Sequence, residues 1–247
     1  MPTLFALLIG TTSCSIDVNG KDGNSITSFG NVNASNSLVS ETRNVGKFEG
    51  LSVSSAIDVK ITNNPSNGEI TITASDNVIK LVKAEIKDQI LTISLDKNVN
   101  FNKNKVEINI PHQKLRHIKV SGASSVEANH VMKVEKFSVI ASGASDLDLN
   151  LMTNHIDLDL SGASDVDLKG NVQDFNLEVS GASELNSKEL KAANVIVNAS
   201  GASSVYVWAV NQLKVEASGA SSVFYRNSTG LIKNVSSTGS SDVEVFN

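Results

Sequence analysis

The sequence predicts an all-β protein, most of it a parallel β-helix: a solenoid of coils of roughly 18–21 residues. Three observations carry this. The motif SGAS returns at Ser121, Ser142, Ser161, Ser180, Ser200 and Ser218, with a worn copy, TGSS, at Thr238. Its glycines, Gly122, Gly143, Gly162, Gly181, Gly201, Gly219 and Gly239, follow one another at intervals of 18 to 21 residues. Each motif is flanked by runs in which apolar and polar residues alternate, the period of a half-buried strand. A unit this short cannot bury its own apolar face and must stack on its neighbours. Leucine-rich repeats share the period, but their leucine and asparagine skeleton is absent here.

Taken from the start of the chain, Pro2 to Cys14 reads PTLFALLIGTTSC, a short apolar run, then small residues, then the chain's single cysteine. This predicts an export signal over residues 1–14, too short to span a bilayer. Ending in Cys14, the segment resembles the lipobox of a bacterial lipoprotein, in which that cysteine is cut free and acylated. No Lys or Arg precedes the run, and Thr11 stands where leucine is usual. The resemblance implies a lipid anchor at Cys14 and a place in the cell envelope, at the outer membrane or cell surface. Residues 15–45 are rich in Ser, Asn and Gly without apolar periodicity, and are expected to be a flexible tether. One cysteine permits neither an intrachain disulfide nor a multi-cysteine metal site.

Residues 46–247 read as one domain. In FEGLSVSSAIDVKI, from Phe48, the pairs Leu51/Val53 and Ile57/Val59/Ile61 flank a Ser-Ser-Ala corner, a repeat unit without its glycine. From Asn63 to Pro111 the pattern changes. NNPSNG is a turn cluster, and EITITA, QILTISL and KVEINI alternate as strands. Between them Val78, Ile79, Val82 and Ile86 fall at helix-like spacing, predicting one or two helical turns. Residues 46–116 thus form an entry and cap for the N-terminal side, and residues 117–247 form the repeats.

The unit around Gly162 shows the design. Ile156, Leu158 and Leu160 alternate with Asp157 and Asp159; after SGAS, Val166 and Leu168 alternate with Asp165 and Asp167. Side chains alternate faces along a strand, so the aliphatic set points inward and the acids outward. Neighbouring units repeat the inward set with Phe175/Leu177/Val179 and Leu185, Val195/Val197/Ala199 and Val205/Val207, and Leu213/Val215/Ala217 and Val223. At the corner, glycine accepts backbone angles that other residues resist. Because coils stack in register, the corner repeats as a column that admits only small residues. Ala123, Ala144, Ala163, Ala182, Ala202 and Ala220 would form one ladder there. The flanking serines would bond backbone groups freed at the bend. No histidine recurs at a fixed offset from them, so they are structural rather than catalytic.

The ensemble of features resembles a bacterial family, the putative auto-transporter adhesin, head GIN domain. Carrying the resemblance are the lipoprotein-like start, the F-x-x-L-x-V-S-S-A entry at Phe48 to Ala56, the ILTISL strand, the VEINIP element and the stacked SGAS units. It covers roughly residues 46–247. It implies a right-handed β-helix and an adhesin-like role, and it brings no catalytic residues.

On function, the net charge of −5 and the lack of a basic stripe with interleaved aromatics exclude nucleic acid as a partner. Outward acids line up as Asp146, Asp165 and Glu184, with Asp148 and Asp167 beside them; Asp157, Asp159 and Glu178 form a second patch. Such rows attract cations, yet a flat sheet face rarely wraps calcium, so neither a metal nor any other cofactor is expected. The same carboxylates suggest a polysaccharide-cleaving enzyme as an alternative. Against that, Arg43, Arg116 and Arg226 lie outside the acidic rows, and His112, His117, His130 and His155 occupy unrelated repeat positions. A flat threonine array of the ice-binding kind is missing. Aromatics make up only 4% of the chain, but Tyr206, Trp208, Phe224 and Phe246 all fall at outward parity in the last coils. These are the candidate binding or interface residues, for a protein partner, a glycan or self-association. The expected function is a non-catalytic cell-envelope module, adhesin or scaffold; a purely structural envelope role is the remaining alternative. The last coil, running SSDVEVF, is expected to be covered by self-association or by a partner, since an open strand edge invites pairing.

Overall fold

The computed structural model describes residues 32–65, 67–101, 105–112 and 114–246. The predicted export signal, Cys14 and the first half of the predicted tether lie outside the described residues. The described chain opens with β1 (Val32–Asn33), β2 (Leu38–Asn44), β3 (Gly50–Val53), β4 (Ile57–Thr62) and β5 (Glu69–Ser75). A single 3-10 turn (Ile79–Leu81) leads into β6 (Val82–Lys87), β7 (Ile90–Leu95), β8 (Val99–Asn100) and β9 (Val106–Pro111). The repeats follow as β10 (His117–Val120), β11 (Ser125–Lys133), β12 (Lys136–Ala141), β13 (Asp146–Leu160), β14 (Asp165–Val179), β15 (Glu184–Ala199) and β16 (Ser204–Ala217). The last strands are β17 (Ser222–Arg226), β18 (Ile232–Ser237) and β19 (Asp242–Phe246).

The protein is the expected parallel β-solenoid. From β10 onward each coil pairs in parallel with the next, and the register holds the repeats in step: Asp146 faces Asp165 and Leu147 faces Val166, and Glu184 faces Ser204. The inward set named from the sequence is buried throughout, from Ile156 to Val223. Stacking of like positions every ~4.8 Å produces continuous aliphatic columns, such as Val139, Leu158, Leu177, Val197 and Val215.

The chain does not build this stack in sequence order. The coil of β3 and β4 carries β10 and β11 on one side and β7 and β9 on the other. After β4 the chain turns back to lay down β5 to β9, then returns to stack the repeats. The end layer is finished by antiparallel pairings, β5 with β9 and β6 with β7, which cover the N-terminal side of the solenoid.

At the corner, Gly181 has φ of +75°, and a Cβ there would sit 2.4 Å from the carbonyl oxygen of Gly162. Both the left-handed angle and the close approach require glycine. The approach is productive: Ala182 N–H donates to the Gly162 carbonyl at 2.7 Å, and Ala202 N–H to Gly181 at 2.8 Å. The corners thus form a backbone hydrogen-bond ladder. Ser55 and Ala56 make the same bend without glycine, at φ of 75° and 57°. The register places them directly beneath Gly122 and Ala123.

Three expectations need correction. The alanines of the corner face solvent; the buried small side chain is the second serine, at Ser124, Ser145, Ser164, Ser183, Ser203 and Ser221. At three of these corners the hydroxyl closes the bend from inside: Ser145 Oγ donates to the Ser142 carbonyl at 2.7 Å, Ser164 to Ser161 at 2.9 Å, and Ser221 to Ser218 at 2.9 Å. Helical spacing at Val78–Ile86 yields only the one 3-10 turn, after which the chain is strand β6. Three β-branched residues, Val78, Ile79 and Val82, and an N-terminus without a side-chain cap work against a longer helix. Finally, the tether does not extend to residue 45. β2 pairs antiparallel with β5 over its whole length, and the Arg43 guanidinium donates to the carbonyls of Val82 and Ile79. Backbone pairing on a sheet edge orders this mostly exposed strand, so apolar periodicity gave no sign of it.

Candidate functional site

The outward side chains of the strands after the corner form one face. Along it, one column reads Asp146, Asp165, Glu184, Ser204, Ser222 and Asp242. Beside it runs Asp148, Asp167, Asn186, Tyr206, Phe224 and Glu244. Next to these, Lys191 stands opposite Trp208 and Arg226 opposite Phe246. The face therefore changes from acidic to aromatic and cationic along the solenoid axis, with two carboxylates, Asp242 and Glu244, returning in the last coil.

The aromatic end is a built cluster. Tyr206 and Phe224 occupy the same position in adjacent coils, and their rings stack at 4.7 Å between centroids, the spacing of the strands beneath them. Phe246 meets Tyr206 edge-on at 5.8 Å. Arg226 lies 4.4 Å above the Trp208 ring and 5.5 Å from that of Phe246. Lys188 caps Tyr206 at 3.7 Å, and Lys191 stands 5.7 Å from Trp208. Cations held over ring faces are attracted by the ring quadrupole, and keep unused donors for a partner. Tyr206, Trp208, Phe224 and Phe246 all remain half-exposed.

Sequence reasoning placed the four aromatics on this face but missed Lys188 and Lys191. A bulge brings them in. Between β15 and β16 the register jumps from Ser187 opposite Val207 to Lys191 opposite Trp208, so residues 188–190 have no partners in β16. The signal was in the spacing: 20 residues separate Gly181 from Gly201, but 18 separate Gly201 from Gly219. The longer coil must bulge over the shorter one.

The acidic end is arranged as a solvated sheet face. Asn186 donates to Asp167 at 2.6 Å, and Lys169 pairs with Asp148 at 3.5 Å. The second acidic patch is similarly interleaved, with Asn176 donating to Asp157 at 3.1 Å and His155 at 3.0 Å from the same carboxylate. Beside that patch runs an open groove of about 420 Å³ lined by Asp159, Glu178, Ile140 and Ile196. Among the described residues no three His, Cys, Asp or Glu side chains converge as metal ligands.

The other three histidines lie elsewhere. His112 is buried at the N-terminal end, its Nδ1 accepting from Lys114 N–H at 3.1 Å and its Nε2 meeting the Phe48 carbonyl at 2.9 Å. Burial holds the His112, His117 and His130 rings below the ordinary imidazole range. None touches the face described above. Among the described residues no helix is long and apolar enough to cross a membrane.

Comparison with known proteins agrees with this architecture. A family model described as "Putative auto-transporter adhesin, head GIN domain" matches residues 47–229. A crystal structure of a putative adhesin from Bacteroides fragilis is similar at a TM-score of 0.77 and 22% identity, covering 87% of this chain and 100% of that one. A putative lipid binding protein from Parabacteroides distasonis is similar at 0.68 and 14% identity, over 88% and 100% of the two chains. A putative adhesin from the same species is similar at 0.63 and 21% identity, again over 88% and 100%. At these identities the solved structures establish a shared fold. No curated protein matches the chain.

Proposed function

The chain belongs to the putative auto-transporter adhesin, head GIN domain family, and from that premise we propose that it is a non-catalytic binding module of the cell envelope. Its contact surface is the aromatic and cationic end of the post-corner face. The observation that carries this reading is the concentration of Tyr206, Trp208, Phe224 and Phe246 in adjacent coils, half-exposed and interleaved with Lys188, Lys191 and Arg226. Aromatic side chains and arginine are the residues that dominate binding energy at protein contacts.

Catalysis is the weaker reading. Hydrolysis of a glycosidic bond needs two carboxylates facing each other across the substrate, one of them with a raised pKa. Asp146, Asp148, Asp165 and Asp167 instead project side by side from one exposed sheet face. A lipid held inside the coils is disfavoured too, since the interior is filled by its own aliphatic columns. Anchoring through Cys14 rests on the sequence pattern alone; Cys14→Ser is expected to release the protein from the membrane fraction.

The test compares the full chain with a Tyr206→Ala/Trp208→Ala variant for binding to envelope proteins and to a glycan array. Circular dichroism checks the fold, and a reducing-end assay reads any turnover. The expected result is at least a tenfold loss of binding with unchanged dichroism and no turnover. Polysaccharide turnover abolished by Asp165→Asn or Asp167→Asn would overturn the proposal.

A further inference from the structure

Where the post-corner face ends, the coils of β13 to β16 bend, and the bend carries an open groove of about 460 Å³. One wall is the register column of Met152, Asn171 and Lys191, which Trp208 continues into the next coil. Thr153 and Val172, both buried, form the floor. Asn154, Gln173, Ala193 and Asn211 make the other wall. The groove thus follows the solenoid axis and meets the aromatic cluster at Trp208, three steps of ~4.8 Å from Met152, or roughly 14 Å.

The chemistry of this groove differs from that of the faces beside it. The side chains of Asn154, Asn171, Gln173 and Asn211 are exposed, and their amides make no hydrogen bond among the described residues. By contrast, Asn176, Asn186 and Asn194 each donate to a neighbouring aspartate. A free amide offers two donors and a carbonyl acceptor, a set that matches hydroxyl groups, which both donate and accept. Lys191 adds further donors, and no carboxylate is among the described lining residues. Met152 and Trp208 supply apolar surface at the two ends for the C–H side of a sugar ring. Two breaks in register shape the Trp208 end: residues 188–190 have no partners in β16, and Ala193 alone faces both Val210 and Asn211. Bulges of this kind re-aim side chains. Here they bring Lys191 level with Trp208 and add Asn211 to the wall, while the small Ala193 leaves the space between them open.

We infer that this groove binds a glycan, a short run of sugar rings laid along the solenoid axis with its last ring against Trp208. The inference takes the contact-surface reading as its starting point and names the class of partner. A pyranose ring is about as long as the ~4.8 Å coil spacing, so roughly three rings fit the run and each meets the equivalent positions one coil on. An extended peptide brings like-directed backbone groups back only every ~6.6–6.8 Å, out of step with the coils.

Calorimetric titration of the full chain with cellotriose, maltotriose, chitotriose and trigalacturonate tests this, with Trp208 fluorescence as a second readout. At least one of these is expected to bind, with affinity falling at least tenfold in Asn171→Ala/Gln173→Ala and in Ala193→Arg, which fills the groove. Asp157→Asn/Asp159→Asn, on the pre-corner face, is expected to leave binding unchanged. Circular dichroism verifies folding, and Asn154→Ala/Asn171→Ala serves if Ala193→Arg fails to fold. No binding of any trisaccharide at tens of millimolar would overturn the inference, as would undiminished binding in the groove variants. A Thr-Ser repeat octapeptide that bound more tightly than every sugar, and was lost in the same variants, would overturn it by giving the groove to protein. Tyr206→Ala/Phe224→Ala separates the two readings, since neither residue lines the groove. If it abolishes envelope binding while no trisaccharide binds, the contact surface stands and the glycan groove falls. If it leaves envelope binding intact while the groove variants lose a trisaccharide, the groove stands and the aromatic contact falls.

Discussion

Gly181 and Gly230 separate two demands that the corner makes on a residue. Both have left-handed backbone angles, φ of +75° and +80°, but a Cβ on Gly181 meets a carbonyl at 2.4 Å while a Cβ on Gly230 meets nothing within 4 Å. Gly230→Ala is expected to cost only the backbone preference, about 1 kcal/mol, whereas Gly181→Ala adds a clash that the stacked coils cannot relieve, for about 3 kcal/mol or more. Chemical denaturation of the two variants reads the difference directly. His112 makes a second residue-level prediction. Its ring uses both nitrogens in the neutral state, and a proton on Nδ1 would confront Lys114 N–H. Burial lowers the affinity of His112, His117 and His130 for protons in the folded protein, so below about pH 6.5 the unfolded chain binds more protons than the folded one. Their contribution to stability is complete above that value and is lost as pH falls through the lower folded-state pKa values. Thermal denaturation between pH 7.5 and 5 should therefore show a falling midpoint, with a shallower fall in His112→Gln.

The strands differ in what secures them, and this also decides which were legible in the sequence. β13 to β16 pair with a coil on each side and bury an alternating aliphatic face, a pattern that period-two reading recovers from residues such as Leu158 and Val197. β2 is held by backbone pairing to β5 and by Arg43, which leave no apolar alternation to read. The corner's inner side chain was legible as small but not as serine rather than alanine, because SGAS offers both and only the bend's direction decides which turns inward. Of the candidate site, the four aromatics followed from strand parity. Lys188 and Lys191 did not, since a bulge breaks parity where it occurs. β18 and β19 pair on one side only among the described strands, and Val235, whose register partner Val215 is buried, is 44% exposed. Hydrogen exchange should therefore be faster in β18 and β19 than in β14 and β15, on the order of a hundredfold or more. Equal protection across these strands would mean that the final coil is far better secured than its pairing indicates.

The molecule as a whole is a rod of stacked coils whose regularity leaves few places for specific chemistry. Its N-terminal side is closed by the returning strands β5 to β9, and its interior is packed solid, so recognition falls to the outer faces. Of these, the post-corner face gathers Tyr206, Trp208, Phe224 and Phe246 at one end, with Lys188, Lys191, Arg226 and the carboxylates of Asp242 and Glu244, and presents Asp146, Asp148, Asp165, Asp167 and Glu184 at the other. Trp208 is the only tryptophan in the chain, and it sits 4.4 Å from Arg226 within the cluster. Its fluorescence thus reports on the proposed contact surface and on nothing else. The most direct measurement is acrylamide quenching of Trp208 in the full chain, dilute and alone, then concentrated, then mixed with cell-envelope fractions. If the face makes the contact, quenching falls several-fold in at least one of the latter two conditions and recovers on dilution or in Arg226→Glu. Trp208 equally open to acrylamide in all three, while the protein demonstrably binds envelope or associates, would place the contact elsewhere and contradict the account.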